Sequence, residues 1–364
     1  MRVSLLTAFI CFSLILSACS RGETEKVISL KHHVVDSLDL SRVLRVTQVV
    51  PLDNSVPLGS ITRVERNQAG IFVWSGNRVY IFSDEGKILG QVGRSGRGPG
   101  EYVSISNFSL SDHEVLILDG YTRLLIYDLS GDFLRGIDIP YYASAGKIFG
   151  DRIYLDSGYQ NGNEKKFHVY SLETLEEENS YQEINDAERT YRHFMRAEHY
   201  YVSEDNLLLY HEGLNNRIYQ LYPDRAEVVC SFDFWGNTPP DSFFEHKYEN
   251  VREVYHSLFE GGYVSGVQKF ASGRGKFFLR YDKAPETKTS AFEACFAFLD
   301  STDGSSCQSE RVYFPGITRA LSSEEITVSL TSSKDISFAF PADALLEGTR
   351  SEGDNPQLVF AKIL

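Results

Sequence analysis

The sequence predicts an all-β protein of the propeller class, and two observations lead to this prediction. The first is a strand–turn–strand pattern that occurs twice in succession, at 78–89 and at 122–134. Each copy joins two strand-like runs through a polar turn that ends at Gly86 or Gly131. The second is the spacing of about 43 to 51 residues between equivalent positions of four copies, which are Ile81, Ile126, Val169 and Gln220. A period of ~40 to 50 residues with several strands in each unit is typical of propeller blades.

Pairs of apolar strands follow one another through the first two thirds of the chain. They are predicted at 71–74 with 79–82, 114–119 with 124–127, 151–155 with 167–170, and 206–210 with 217–221. A small sheet of this kind cannot bury both of its faces alone, so neighbouring sheets must stack around an axis. A β-sandwich is the alternative, but it does not predict that whole strand–turn–strand units recur.

The period breaks after Pro239-Pro240. Apolar side chains at helical spacing predict a short helical insertion near 241–260, with Asp241 or Ser242 as its N-cap. Strands then resume, and a hairpin is predicted around the turn Asp303-Gly304.

An apolar strand is predicted at the carboxyl end, over 357–364. We expect it to complete a sheet with the strand near 46–52, because this pairing would close the ring and remove an exposed edge.

Residues 1–18 are predicted to be a signal peptide, because the apolar run 5–16 is too short to span a bilayer stably. The tetrapeptide Leu16-Ser-Ala-Cys19 resembles a bacterial lipobox, in which Cys19 becomes the lipidated first residue. An ordinary secretory signal cleaved near Ala18 is the alternative. Residues 19–33 are then a polar tether, and 34–364 a single propeller domain.

The sequence also indicates a location in the cell envelope. Ser20, rather than Asp, follows Cys19, and by resemblance to lipoprotein sorting rules this indicates the outer membrane, facing either the periplasm or the exterior. The formal charge of −14 disfavours a nucleic acid or an anionic membrane surface as a partner of the folded body. Contact with the membrane is therefore expected through the lipid on Cys19.

The cysteines could form one disulfide. Cys295 and Cys307 flank a predicted turn, and strand register decides whether they meet. Two free, buried cysteines are the alternative. The sequence predicts no cofactor, and no Cys-x-x-Cys or Cys/His spacing indicates a metal site.

Several short runs carry a resemblance to a known family. They are Val49-Val-Pro-Leu52, Gly96-Arg-Gly-Pro-Gly-Glu-Tyr102, Asn216-Arg-Ile-Tyr219 and Asp354-Asn-Pro-Gln-Leu-Val359. In these runs the chain resembles the six-bladed β-propeller lipoproteins of Bacteroidetes over roughly its whole mature length. The resemblance implies six blades of four antiparallel strands and no particular mechanism. The chain is more distantly similar to NHL-repeat propellers, which mostly serve as binding scaffolds.

Two segments are candidate ligand sites. In the glycine-rich corner at 91–102, backbone N–H groups with Arg94 and Arg97 could bind an anion. A plain connection between blades is the favoured alternative there, since no Gly-Lys-Ser/Thr follows.

The second candidate segment is 189–196, which combines aromatic residues with Arg189, Arg192, His193 and Arg196. It could line a channel mouth and recognise a carboxylate or a sugar, or it could be a packed loop.

No catalytic motif is present, neither Gly-x-Ser-x-Gly nor His-Glu-x-x-His. The sequence therefore favours a membrane-anchored binding or scaffold propeller that holds an envelope protein or a glycan fragment. The alternative is an enzyme, a polysaccharide or peptide lyase or hydrolase with its site in the central channel, because propellers host both classes.

Overall fold

The computed structural model describes residues 26–158, 162–191, 200–284, 292–314, 317, 319–331, 334–344 and 354–364. In these ranges the strands are, in chain order, β1 (Val27–Leu30), β2 (Leu38–Asp39), β3 (Leu44–Pro51), β4 (Ile61–Asn67), β5 (Gly70–Ser75), β6 (Arg78–Phe82), β7 (Ile88–Gln91), β8 (Arg94–Ser95), β9 (Glu101–Tyr102), β10 (Ile105–Leu110), β11 (Glu114–Asp119), β12 (Arg123–Asp128), β13 (Phe133–Asp138), β14 (Ala143–Phe149), β15 (Arg152–Ser157), β16 (Lys165–Ser171), β17 (Glu177–Glu183), β18 (Tyr200–Val202), β19 (Leu208–His211), β20 (Arg217–Leu221), β21 (Ala226–Phe234), β22 (Val264–Gly273), β23 (Lys276–Lys283), β24 (Glu293–Asp300), β25 (Ser305–Ser309), β26 (Arg311–Tyr313), β27 (Leu321–Ser322), β28 (Thr327–Leu330), β29 (Ile336–Phe340) and β30 (Gln357–Ile363). The α-helices are α1 (Glu188–Tyr191), α2 (Asp241–Glu245) and α3 (Val251–Gly261), and single 3₁₀ turns lie at Leu40–Arg42 and Ala342–Ala344.

The described strands form seven blades of an all-β propeller. Five of them are four-stranded and antiparallel: blade 1 (β4-β5-β6-β7), blade 2 (β10-β11-β12-β13), blade 3 (β14-β15-β16-β17), blade 5 (β22-β23-β24-β25) and blade 7 (β28-β29-β30-β3). Blade 4 has the five strands β18 to β21 and β1, and blade 6 has the three short strands β2, β26 and β27. The strands β8 and β9 form a separate parallel pair.

The propeller class is therefore confirmed, but the expectation of six four-stranded blades is wrong. The structure has seven blades, and the smallest joins β2, near the start of the chain, to β26 and β27, near its end. Strands of two or three residues show no alternation that a sequence pattern could detect. This blade is consequently invisible as a repeat.

Apolar side chains between blades form the core. The middle strands β5 and β11 are almost wholly buried, since each has a strand on both sides and a blade against its faces. The outer strand β13 is largely exposed. Contacts between successive blades include Trp74 against Phe108, with ring centroids 6.2 Å apart, and Phe232 against Phe270 at 5.7 Å.

The carboxyl-terminal strand closes the ring as predicted. β30 pairs with β29 on one side and with β3 on the other, and Val49 lies opposite Val359. A strand from the amino-terminal part of the chain and the carboxyl-terminal strand thus lie side by side in blade 7, and this pairing closes the ring.

The predicted tether differs from the structure. Residues 27–30 form β1, which pairs in parallel with β21, and the side chains of Ile28 and Leu30 are buried. The chain continues against blade 5, where the N–H of Gln308 donates to the carbonyl of His33 over 3.0 Å. Residues 19–25, with the lipidation site Cys19, lie outside the described residues.

The helical insertion is present, but as two helices, α2 and α3. Neither predicted N-cap is used: α2 follows Pro240 without a side-chain cap, and α3 is capped by Asn250, whose side chain accepts from the N–H of Glu253. Val254 and Leu258 bury the inner face of α3. In the parts of the chain described, no helix is long and apolar enough to cross a membrane.

Candidate ligand-binding cavity

A cavity of about 560 Å³ lies where blades 3 and 4 meet the helical insertion. Its walls come from the start of β16, from α1, from the connection between β19 and β20, and from the segment that leads from β21 into α2. We call it the lysine cavity, after Lys166 at its base. Its size falls within the ~300 to 1,000 Å³ usual for small-molecule sites.

Three buried charges form the base of this cavity. The ammonium of Lys166 lies 2.5 Å from a carboxylate oxygen of Glu188 and also contacts the carboxylate of Glu212. These side chains are only 4%, 8% and 9% exposed, respectively. Since charges removed from water are tolerated only when they are paired, each member helps to hold the others in place.

Local structure positions these groups. Lys166 is the second residue of β16, where strand alternation turns it inward, whereas Lys165 points outward and pairs with Glu183. Glu188 is the first residue of α1, and its N–H donates a hydrogen bond to the side-chain oxygen of Asn185 over 2.8 Å.

Asn215 and Tyr219 extend the polar wall. The side-chain amide of Asn215 donates to Glu212 over 3.0 Å and to the hydroxyl of Tyr219 over 2.9 Å. Burial, followed by the negative charge of Glu212, raises the pKa of Tyr219 to about 12. The phenol is therefore protonated at neutral pH, and its O–H can still donate a hydrogen bond.

Asn216 is the most unusual side chain of the cavity lining. The residue is 6% exposed, and neither its amide nitrogen nor its amide oxygen has a hydrogen-bond partner among the described residues. A buried polar group without a partner costs about 1 to 3 kcal/mol. A ligand that hydrogen-bonds to this amide would recover that free energy.

Three of the six predicted ligand-binding residues, Arg94, Arg97 and Arg189, lie within the described part of the chain. Arg189 is half-buried on α1 and does not line the lysine cavity, although its neighbours Glu188 and Tyr191 do. Arg192, His193 and Arg196 lie outside the described residues.

Arg94 and Arg97 are both exposed in the glycine-rich corner. Arg94 lines a different cavity, of about 250 Å³.

A carboxylate of the same segment occupies the space inside the glycine-rich corner. The carboxylate of Glu101 accepts a hydrogen bond from the N–H of Gly98 over 2.8 Å. A Cβ atom on Gly96 would lie 2.0 Å from a Glu101 oxygen, so glycine is needed for this carboxylate to fit. Gly93 and Gly100 have positive φ values of 53° and 72°. The corner thus has the features of a tight connection between blades 1 and 2.

The two candidate disulfide cysteines are free in the structure. Cys307 on β25 lies opposite Phe298, whereas Cys295 lies three residues further back along β24. Register therefore separates them, and burial raises the pKa of the Cys295 thiol to about 12. The described residues also contain no group of three side chains suited to hold a metal ion.

A second buried ion pair lies at the propeller axis. The ammonium of Lys147, on the inner strand β14, is 3.0 Å from the carboxylate of Glu65, on the inner strand β4. The two side chains are 7% and 3% exposed. These strands belong to blades 1 and 3, and β10, the inner strand of blade 2, contacts both of them. The pair therefore links two blades that are not neighbours in the ring.

Sequence reasoning missed Lys166, Glu212 and Asn216. Lys166 directly precedes the predicted strand 167–170, and only the structure shows that its side chain is buried. Asn216 stands in a run that carried the family resemblance, and nothing in that run distinguishes a buried, unpaired amide from an exposed one. The carboxylates come from separate connections that only blade packing brings together.

The architecture defines this chain as an all-β propeller with a ligand-sized cavity between two blades. The chain belongs to the DUF4934 family, described as a domain of unknown function, whose family model matches residues 25–362. Comparison with curated protein sequences finds no match.

Solved structures from Bacteroides have a similar fold. A "putative exported protein" of Bacteroides fragilis matches with a TM-score of 0.72 and 16% identity, covering 93% of this chain and 100% of that one. A member of the DUF4221 family from Bacteroides vulgatus matches with a TM-score of 0.53 and 11% identity, covering 88% of this chain and 98% of that one. At these identities the similarity shows the fold alone.

Proposed function

We propose that this chain is an outer-membrane lipoprotein, anchored through Cys19, whose propeller binds a glycan fragment or a segment of an envelope protein in the lysine cavity. The anchor is supported by the apolar run 5–16 and the lipobox-like ending at Cys19. The similar protein of Bacteroides fragilis is described as exported, which agrees with this location.

The lipid anchor can be tested by metabolic labelling of the full chain with radioactive palmitate in a bacterial host. We expect the label and the protein in the membrane fraction, and we expect Cys19→Ser to lose both. Cys307→Ser is the matched control and should keep the label. Retention of the label by Cys19→Ser would contradict the anchor.

One observation carries the binding proposal: a cavity of small-molecule size contains buried paired charges and, in Asn216, a buried amide without a partner among the described residues. Binding sites commonly place a few oriented polar groups among apolar walls. The aromatic side chains of Tyr191 and Phe244 supply such walls here, with ring centroids 5.8 Å apart. At the propeller axis, Lys147 and Glu65 are buried and paired with each other, so they have less to offer a ligand.

The binding proposal is tested by titrating the full chain with a panel of glycan fragments and short peptides in a calorimeter. We expect Asn216→Leu to weaken binding roughly tenfold, since one lost hydrogen bond in a buried site is worth about 1 to 3 kcal/mol. Gln68→Leu, at an exposed turn of blade 1, should leave the affinity unchanged. Binding that is indifferent to Asn216→Leu would contradict the cavity as the site. Turnover of a panel member, abolished by Glu212→Gln, would replace binding with catalysis.

A further inference from the structure

We infer that the ligand of the lysine cavity carries a protonated amine, an inference that rests on the binding function proposed above. The first support is the balance of charge. Among the described residues that line the cavity there are five carboxylates but only two basic groups, Lys166 and Arg217. The carboxylates are Glu188, Glu212, Asp233, Asp241 and Glu245.

The basic groups are already engaged. Lys166 is held between the carboxylates of Glu188 and Glu212, so it cannot turn toward an anionic ligand without breaking a buried pair. Arg217 faces Asp241 across 3.8 Å at the exposed rim. Among the described residues of the lining, an anion would therefore meet mainly negative charge.

The outer carboxylates, in contrast, are poorly neutralised. Glu245 is exposed and has no ion-pair partner among the described residues. The carboxylate of Asp233 accepts a backbone hydrogen bond from Gly236 over 3.1 Å, and it too has no basic partner in that part of the chain. These groups create a negative potential at the mouth that favours the approach of a cation.

The walls also suit an amine. The rings of Tyr191 and Phe244 line the cavity at an interplanar angle of 70°, and an ammonium group is attracted to the face of an aromatic ring. The oxygen of the Asn216 amide can accept an N–H bond from the ligand, as it has no other donor among the described residues. A primary ammonium offers three such donors.

A pair of sugars whose amines are either free or acetylated tests the inference. Calorimetric titration of the full chain compares the β-1,4-linked disaccharide of glucosamine with its N-acetylated counterpart, at low and at moderate salt. Lysine methylamide is included as an amine that is not a sugar. We expect each amine to bind roughly tenfold or more tightly than the acetylated sugar, with an affinity that falls as salt screens the charges.

Substitutions of two carboxylates at the rim test whether the preference for amines arises in this cavity. Glu245→Gln and Asp241→Asn should each weaken binding of the amines roughly threefold or more, while binding of the acetylated sugar should change little. Both side chains are exposed, so the variants should fold normally, which thermal unfolding checks. Glu249→Gln is the matched control, because Glu249 lies in the same insertion but does not line the cavity.

The outcomes separate this inference from the binding proposal. Equal or tighter binding of the acetylated sugar, sensitive to Asn216→Leu, would overturn the requirement for an amine and leave the cavity as a binding site. If neither amine binds while another member of the glycan and peptide panel does, the requirement for an amine is overturned as well. Failure of every ligand in both experiments would overturn the inference and the proposed function together.

Discussion

Gly86 and Gly131, the glycines that end the repeated turns, connect each blade to the one before it. They have positive φ values of 83° and 95°. The carbonyl of Gly131 accepts a hydrogen bond from the N–H of Gly93, just beyond the outer strand of blade 1, over 2.8 Å. The carbonyl of Gly86 accepts one from Asp53, just beyond the outer strand of blade 7, over 2.9 Å. The glycine in the repeat therefore belongs to the contact between blades as much as to the turn.

This contact predicts a large effect of Gly131→Ala. An added Cβ atom would lie 2.3 Å from the carbonyl oxygen of Gln91, so the backbone must shift in addition to adopting an unfavourable φ. We expect the free energy of unfolding to fall by about 3 kcal/mol or more, measured by urea denaturation. Gly76→Ala is the matched control, with φ of 58° and no atom within 4 Å of its added Cβ, and it should cost about 1 kcal/mol. Equal losses of stability in both variants would show that the positive φ, and not the contact with Gln91, determines the cost.

At the scale of elements, β1 shows that 27–30 belongs to the folded body. Its side chains alternate between exposed and buried, and Leu30 is only 2% exposed. We expect Leu30→Asp to destabilise the protein by about 3 kcal/mol or more, because a carboxylate would be placed in the core of blade 4. Val27→Asp, at a 59% exposed position of β1 opposite Ser231, should change the stability by less than about 0.5 kcal/mol. Thermal unfolding measures the stability of both variants. If residues 27–30 were only a tether, the two variants would be equally stable.

Long strands with many buried residues could be predicted from the sequence. Short strands, and strands that join a blade far away along the chain, could not. The runs at 71–74 and 114–119 are apolar because the middle strands of a blade are buried on both faces, which makes them visible in the sequence. β1 has only two buried side chains, and its neighbour β21 lies about 200 residues away along the chain. No local pattern could have specified that pairing.

At the scale of the whole molecule, ring closure was predictable, but the candidate cavity was not. An apolar strand at each end of the chain is enough to suggest that β30 meets β3. The cavity, by contrast, takes Lys166 from blade 3, Glu212 from blade 4 and Asp241 from the helical insertion. Sequence reasoning singled out Arg189, directly after Glu188, because a cluster of arginines is conspicuous, whereas an isolated lysine or glutamate is not.

The ion pair at the axis gives a prediction about how the whole ring holds together. Lys147 and Glu65 join blades 1 and 3 in a buried setting, so removing one charge by Lys147→Met should cost about 3 to 5 kcal/mol of stability. In a double-mutant cycle with Glu65→Leu, the doubly substituted protein should lose less than the sum of the single losses, by at least about 1 kcal/mol.

The exposed pair Lys165–Glu183 is the matched control for that cycle. Its charged atoms are 2.9 Å apart, close to the 3.0 Å of the axial pair, but its side chains are 35% and 82% exposed. Solvent screens such a pair, so its coupling should stay below about 1 kcal/mol. Urea denaturation of both sets of variants measures the two coupling energies. Additive losses at the axis would mean that the inner strands are held by their neighbours in the ring, and that this ion pair adds no coupling between blades 1 and 3.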